Sequence, residues 1–384
     1  MSTPQPHQPQ HVLLVRTSAL GDVVQTWALA YWLRQQRPHW RISWLVGQAA
    51  LPLVAYLPHV IDEVIPLPNM GKGLLPKLHA FRQARPLASA MANKAHPITI
   101  SLDTQGLYKS AWWAHQAGIP QRIGFAPARE DVSWAYTHTV GRAPSQSSAH
   151  PAVFEMSQLL LPLGCAPTHP SQLLPSVWPT LPANHVAGQH VATLTQDWPT
   201  DRPWVLVSPT TTWASKHWPL AHWATLVAML VQAGYWVIGL GSAKDAPLLA
   251  KVASQGNIPL TRHDSGGGWT SVTGELGLEG LFALLPQAHA LVGQDSFLLH
   301  LADAYNRSTL VDKTMAYKPL HVVGLLGPTA ISRTGALWPQ AVNLTNAQPC
   351  QPCHKRDCPL GHQACLAELD PLDVFKAVTA NLPC

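Results

Sequence analysis

HVLLV (His11–Val15) is a short apolar run, followed by the turn Ser18-Ala19-Leu20-Gly21 and then a helical pattern from Asp22 to about Gln36. Five apolar residues closed by a small-residue turn fit a buried strand, and the periodic segment beyond it fits a helix. Strand, tight turn and helix is the repeating unit of a parallel sheet. Working outward, Ile42–Val46, Val60–Leu67, Ile98–Leu102 and Arg122–Gly124 are strand candidates, with helical segments near Ala49–Leu57, Leu74–Asn93 and Leu107–Ala117 between them. This alternation predicts a mostly parallel sheet with helices on both faces.

Between about Thr168 and Arg202 the chain is rich in Pro, Ser, Thr, His and Gln and loses periodicity, so an interdomain connection is placed there. The alternation then resumes: Trp204–Ser208, Tyr235–Leu240, Ala290–Val292 and His321–Leu325 as strands, and Pro219–Ala233, Leu278–Leu285 and Phe297–Tyr305 as helices. In the helix after Pro219, residues Leu220, Trp223, Leu226, Val227, Leu230 and Val231 share one face. No short internal repeat is evident. A chain of 384 residues suits two domains of roughly 150–200 residues better than one core. The expected organisation is α/β, two Rossmann-like doubly wound domains facing each other across a cleft, spanning 11–170 and 200–384, the second ending in a Cys-rich segment.

Hydrophobic residues make up 47% and charged residues 12%, which excludes a disordered or coiled-coil chain. The net charge of +5 favours an anionic partner such as a nucleotide, a phosphorylated lipid or a membrane surface. The basic residues are dispersed without a long Lys/Arg run, so nucleic acid is not expected. Met1–Gln10 lacks the charged and apolar regions of a signal peptide, and no stretch reaches the roughly 18 uninterrupted apolar residues of a spanning helix. The expected location is the cytoplasm, with at most a peripheral contact to the inner membrane from that side.

In open parallel sheets ligands bind beyond the carboxyl ends of the strands, so polar residues in strand-to-helix turns are the ones to weigh. Asp22, at the start of the first helix, reads equally as a plain helix cap or as a general base. Ser208-Pro209-Thr210-Thr211-Thr212 with Lys216 offers hydroxyls, turn N–H groups and a cation to a diphosphate, although a solvated Lys is the commoner reading of such a residue alone. Asp295, Ser296 and His300 project from a strand end and the next helical turn; Gly-x-Ser-x-Gly is absent, which argues against a hydrolase. Cys350-x2-Cys353-x4-Cys358-x6-Cys365 reads as one structural Zn²⁺ site or as ordinary thiols, the spacing fitting paired knuckles poorly. Most of the 16 Trp residues, such as Trp223 and Trp236, fall on apolar faces and are assigned to the core.

Taken together, SALGDVVQTWAL (Ser18–Leu29), DTQGLYKSA (Asp103–Ala111), TTTWASKHWP (Thr210–Pro219), GQDSFLLHLADA (Gly293–Ala304), GLLGPT (Gly324–Thr329) and CQPCHKRDCPLGHQAC (Cys350–Cys365) resemble the successive motifs of the bacterial lipopolysaccharide core heptosyltransferases. Each motif alone is weak; six in the family's order, across nearly the whole chain, are specific. The resemblance implies a GT-B fold with the acceptor on the first domain and the nucleotide sugar on the second. It implies transfer with inversion from ADP-L-glycero-β-D-manno-heptose to a lipid A–inner-core oligosaccharide. By the same matching Asp22 is the catalytic base, while Thr211, Thr212 and Lys216 bind the diphosphate, with Lys216 also aiding departure of ADP. Asp295, Ser296 and His300 belong to the donor loop, Asp245 lies near the ribose and Leu276 near the adenine.

Lys72, Lys77, Arg82 and Arg85, together with Lys109 and Arg129, are candidates for phosphate or carboxylate groups of the acceptor, each also readable as a solvated surface charge. No metal or other cofactor is required by this chemistry, since a Lys and helix N-termini supply positive potential. The chain departs from the family at Phe297, where Gly is common, at Ala28 in place of Pro, and at Asn306–Pro319, which reads as an insertion. The motifs do not distinguish Kdo–lipid A from heptosyl-Kdo–lipid A as acceptor. Two competing functions are a sugar-nucleotide epimerase of like architecture, which would turn over donor without acceptor, and a non-catalytic nucleotide-binding module.

Overall fold

The computed structural model describes residues 10–57, 59–67, 96–141, 150–169, 172–258, 268–311 and 318–382. The chain divides into two units, Met1–Thr180 and Leu181–Cys384. In the first, β1 (His11–Val15), β2 (Arg41–Gly47), β3 (Glu63–Leu67), β4 (Ile100–Asp103), β5 (Gln121–Ala126) and β6 (His138–Gly141) form one sheet in the order β3-β2-β1-β4-β5-β6. Every pairing is parallel, with Val12 opposite Ile42 on one side and Ile100 on the other. In the second, β7 (Trp204–Ser208), β8 (Trp236–Gly239), β9 (Trp269–Ser271), β10 (Ala290–Gln294), β11 (His321–Leu325) and β12 (Val342–Leu344) repeat the same winding, in the order β12-β11-β10-β7-β8-β9 and again all parallel. Both sheets have the Rossmann order.

The central strands β1, β7, β10 and β11 are buried along their whole length, which is why they read as unbroken apolar runs. Helix Leu220–Gln232 turns Trp223, Leu226, Val227 and Leu230 into a core shared with β7, β8, β10 and β11, while Leu220 and Val231 pack at its margin. Pro219 stands just before the first helical residue, where its missing N–H costs nothing. Trp223 and Trp236 are fully buried, as their apolar faces predicted. The same core takes in Cys365, Leu366 and Leu369, and also Val374 and Val378 of the C-terminal helix Pro371–Thr379.

Several elements differ from the sequence reading. A helix, Val186–Thr195, lies within the stretch read as aperiodic, begun by His185, whose ring accepts the Ala187 N–H at 3.2 Å. It buries only Val191 and Thr195, so it carries no apolar stripe to reveal it. Strands β6, β9 and β12, of three or four residues, are edge strands too short for periodicity. In place of one helix over Ala49–Leu57 the chain forms a 3-10 turn, Gln48–Ala50, and the short helix Pro52–Ala55. The segment read as an insertion from Asn306 is partly helix, since Phe297–Ser308 is continuous; Asn306 then bonds the Leu320 backbone in both directions, at 2.7 and 2.8 Å. Leu74–Asn93 lies outside the described residues. Among the described residues no helix is long and apolar enough to cross a membrane.

In each sheet the connections leaving the two central strands run to opposite sides, so the carboxyl ends of β1 and β4, and of β7 and β10, are the places where a crevice opens. Both pairs of ends carry the polar turns singled out above.

Candidate functional site

In the first unit the chain leaves β1 through Arg16, Thr17 and Ser18 and enters helix Leu20–Gln36. Asp22 is the third residue of that helix, two later than a helix starting at Asp22 would place it, and its carboxylate lies 3.5 Å from the Ala19 N–H. Its principal partner is Arg16, a buried guanidinium that also donates to the Thr104 carbonyl at 2.7 Å. Arg16 thereby ties the end of β1 to the end of β4 while fixing the carboxylate from one side. Asp22 keeps 42% of its side-chain surface exposed, so the other side is open to a ligand.

The β4 end is organised by Asp103, buried at the last position of the strand. It accepts the N–H groups of Gln105 and Gly106 at 2.8 and 3.1 Å and the hydroxyls of Ser110 and Tyr136 at 2.8 Å each. Burial pushes its carboxyl up, against the pull of those four donors. Gly124 makes room for the tyrosine, since a Cβ there would run into the Tyr136 ring. The turn so held presents Gln105, which accepts from Thr17 N–H and hydroxyl at 3.1 and 2.8 Å and donates to Ser18 at 3.2 Å. It also presents Lys109, whose Nζ donates to Ser18 Oγ at 2.7 Å. Burial and the charge of Arg16 push Lys109 below its ordinary value, with Glu130 opposing.

Lys109 and Asp22 are thus brought to one strand-end corner. Arg129 is exposed on the adjoining loop, its backbone N–H bonded to Gly106 O at 3.0 Å. Lys72, Lys77, Arg82 and Arg85 lie outside the described residues. Arg16 and Gln105 were not singled out by sequence reasoning; the only signal was their position in or beside two quoted motifs.

In the second unit the turn after β7 holds Thr211, Thr212 and Lys216, and the turn after β10 holds Asp295, Ser296 and His300. Lys216 Nζ is 2.7 Å from Asp295 Oδ2, with the two side chains 14% and 4% exposed, and His300 Nε2 is 3.5 Å from Oδ1. Thr329 and Thr334 donate their hydroxyls to the same Oδ2 at 2.5 and 3.2 Å. Burial acts to raise the Asp295 carboxyl, but the bond from His300 and the charges of Lys216 and His300 hold it well below the usual carboxylate range. Ser296 is the extended residue before helix Phe297–Ser308, and Phe297, in place of a family Gly, is its half-buried first residue.

Thr211 is half-buried and Thr212 exposed. Burial pushes His217 below its ordinary value, against the charge of Asp245 and the Thr211 backbone, which act to raise it. Asp245 is fixed by the Ser242 N–H and hydroxyl, at 2.8 and 2.7 Å, at the end of β8. Leu276 follows β9, half-buried and in reach of Gly280 in helix Leu278–Leu284. Thr211, Lys216, Asp245, Asp295 and His300 therefore gather at the carboxyl edge of one sheet.

The Cys-rich segment was read either as one structural Zn²⁺ site or as ordinary thiols. Cys350, Cys353, Cys358 and Cys365 are free thiols, and among the described residues no three His, Cys, Asp or Glu side chains are disposed to hold a metal. Cys365 is committed to the apolar core, where burial and the neighbouring cysteines push its thiol up. The backbone N–H of Gln363, with those of Leu360, Gly361 and His362, lowers the Cys358 pKa, with burial opposing. The segment is built into the second site: Gln351 donates to Gly327 O at 2.6 Å, and a Cβ on Gly327 would meet Leu366 at 2.7 Å.

Two Rossmann-like units, each with a polar strand-end corner, match the GT-B fold of solved heptosyltransferase structures. Residues 92–364 match the pattern of glycosyltransferase family 9 (heptosyltransferase), and the chain belongs to that family. It is 28% identical over 353 residues to lipopolysaccharide heptosyltransferase 1 of Pseudomonas aeruginosa, covering 90% of this chain and 87% of that one. It is 26% identical over 374 residues to lipopolysaccharide heptosyltransferase 2 of Escherichia coli K12, covering 97% and 98%. The structure of E. coli heptosyltransferase WaaC with ADP-2-deoxy-2-fluoro heptose superposes with a TM-score of 0.62 at 20% identity, covering 96% of this chain and 99% of that one.

Proposed function

We propose that this glycosyltransferase moves heptose, with inversion, from ADP-L-glycero-β-D-manno-heptose to the inner core of lipopolysaccharide, on Kdo–lipid A or heptosyl-Kdo–lipid A. The observation that carries the reading is the Asp22 carboxylate, clamped by buried Arg16 on one side and open on the other. In the reaction an acceptor hydroxyl oxygen forms the new bond to the anomeric carbon. The bond from that carbon to the β-phosphate oxygen breaks, its electron pair leaves with ADP, and the hydroxyl proton passes to Asp22. Lys216 and the Thr211–Thr212 turn stabilise the charge that grows on the departing diphosphate, without a metal ion. Asp295, Ser296 and His300 position the donor, Asp245 takes the ribose and Leu276 the adenine; Lys109 and Arg129 take anionic groups of the acceptor.

The names of the relatives and the donor analogue bound by WaaC support this substrate pair. Membership of a transferase family favours transfer over epimerisation. On this reading the reaction runs in the cytoplasm, with the lipid acceptor met peripherally at the inner membrane.

The test is incubation of the purified protein with ADP-heptose and acceptors truncated to successive depths, read by mass spectrometry. One added heptose on one truncation, with stoichiometric ADP, is expected. Conversion of the ADP-sugar without any acceptor would overturn transfer in favour of epimerisation.

A further inference from the structure

The charge of Lys216 is already matched in the protein as it stands. Its ammonium sits 2.7 Å from the buried Asp295 carboxylate, so an arriving anion meets a neutral pair rather than a lone cation. A diphosphate, with two or more negative charges, calls for more positive potential than that pair supplies.

The additional charge is delivered by the Cys-rich segment. Ser215, the neighbour of Lys216, donates its N–H to Arg356 O at 2.9 Å and its hydroxyl to Lys355 O at 2.6 Å. Gln363 Nε2 donates to Ala214 O at 2.9 Å, and His354 N–H to Pro328 O at 2.9 Å. These bonds press the His354-Lys355-Arg356 stretch against the turns that leave β7 and β11. Ser215 is buried, so the attachment is part of the packed structure.

Arg356 is exposed, yet its guanidinium carbon is 5.9 Å from the centroid of the Trp213 ring, and Lys216 Nζ is 4.6 Å from the same centroid. Trp213 is exposed to partial degree, unlike the core tryptophans, and serves as a face for two cations. Among the described residues Arg356 makes no ion pair, so its charge is available to a ligand. The corner is electropositive as a whole: besides its burial, the charges of Arg333 and Lys216 push His354 below its ordinary value, with Asp295 opposing.

Resting on the nucleotide-sugar reading above, we infer that Arg356 is a second cation of the donor site, carried by the Cys-rich segment to the diphosphate beside Lys216 and held in place by Trp213. An arginine suits this role because its planar fork binds two phosphate oxygens at once. The segment read as a Zn²⁺ site or as ordinary thiols is then a bracket that brings positive charge to the leaving group.

The test is calorimetric titration of the full chain and of Arg356→Ala and Arg356→Lys with ADP and with adenosine, at low and at high salt. Arg356→Ala is expected to weaken ADP about tenfold or more at low salt, to flatten the salt dependence and to leave adenosine binding unchanged; Arg356→Lys should recover part of the loss. ADP affinity within twofold of native in Arg356→Ala, or equal losses for ADP and adenosine, would overturn the inference while leaving the donor reading intact. Failure of the native chain to bind ADP would instead sink the donor reading itself.

Discussion

Asp295→Asn removes one charge from the second site while keeping its shape, and its first effect is on stability. Oδ2 of Asp295 receives Lys216 at 2.7 Å and the hydroxyls of Thr329 and Thr334. The variant leaves the 14% exposed Lys216 without its carboxylate and gives the two hydroxyl donors only one amide oxygen. Breaking a buried pair from one side costs about 3–5 kcal/mol, and the residual exposure of Lys216 puts this case near the lower end, about 3 kcal/mol. For a unit of this size roughly 2–4 °C follows each kcal/mol, so Tm should fall by about 6–12 °C at neutral pH.

The pH dependence has a definite sign. The folded-state carboxyl of Asp295 is held well below its ordinary value, against the effect of burial, by His300 and Lys216. A depressed folded pKa favours the folded state at every pH above the unfolded value, about 4, and that contribution is lost as pH falls toward the folded pKa. The gap in Tm between native and Asp295→Asn should therefore be full at pH 7 and narrow below about pH 4. ADP should raise the Tm of the variant by more than it raises that of the native protein, because Lys216 no longer shares its charge with a carboxylate. Scanning calorimetry at both pH values, with and without ADP, measures all of this. Equal Tm values at pH 7 would refute the argument, since the Lys216–Asp295 pair would then contribute nothing.

Asp22→Asn should lower turnover by about two orders of magnitude, the scale of a general base, with ADP affinity retained; near-normal turnover would remove Asp22 from the mechanism. The substitution also leaves the buried Arg16 guanidinium without its carboxylate, so its cost to stability should lie between about 1 kcal/mol, as for an exposed pair, and the roughly 3 kcal/mol of Asp295→Asn, since Asp22 keeps 42% of its side-chain surface exposed. Lys216→Ala should weaken ADP binding and slow transfer, with Lys216→Arg restoring only part, because a fork does not reproduce a compact ammonium beside Asp295; unchanged affinity and rate in Lys216→Ala would count against the diphosphate assignment. Among the described thiols, Cys358, lowered by backbone N–H groups, should be alkylated first at pH 7, and Cys165 and Cys365, raised chiefly by burial, last. Peptide mapping after brief iodoacetamide treatment would show the order, and prior labelling of Cys365 would contradict it.

Fold and site were legible in the sequence to different degrees for physical reasons. The central strands announce themselves because a strand covered on both faces has no polar position to spare, as Val205-Leu206-Val207 and Val322-Val323 illustrate. Strands β6, β9 and β12 pair on one side only and are three or four residues long, too short to carry a pattern. Helix Val186–Thr195 is stabilised by few buried residues, and its sequence advertises the polar side. What marked Asp22, Lys216, Asp295 and His300 was their place at strand-to-helix turns, combined with motif order.

Their partners were another matter, and the reason is topological. Arg16 meets Thr104, and Gln105 meets Thr17 and Ser18, across nearly ninety residues of chain. Ser215 meets Lys355 across 140. No periodicity or local spacing encodes such meetings; the strand order does. Once β1 and β4 are neighbours, the turns that leave them must meet, and each polar side chain in one turn has the other as its nearest source of partners. The same holds for β7, β10 and β11, whose turns enclose Asp295. The Cys-rich segment shows the limit of local reading most clearly: its composition left a metal site and ordinary thiols as alternatives and said nothing of its hydrogen bonds, which run to the loops that carry Lys216 and Thr329. A segment chosen for where its backbone fastens need not be chosen for what its cysteines bind, and Arg356, one of the least conspicuous residues in it, is the one that fastening holds at the Trp213 ring that Lys216 also meets.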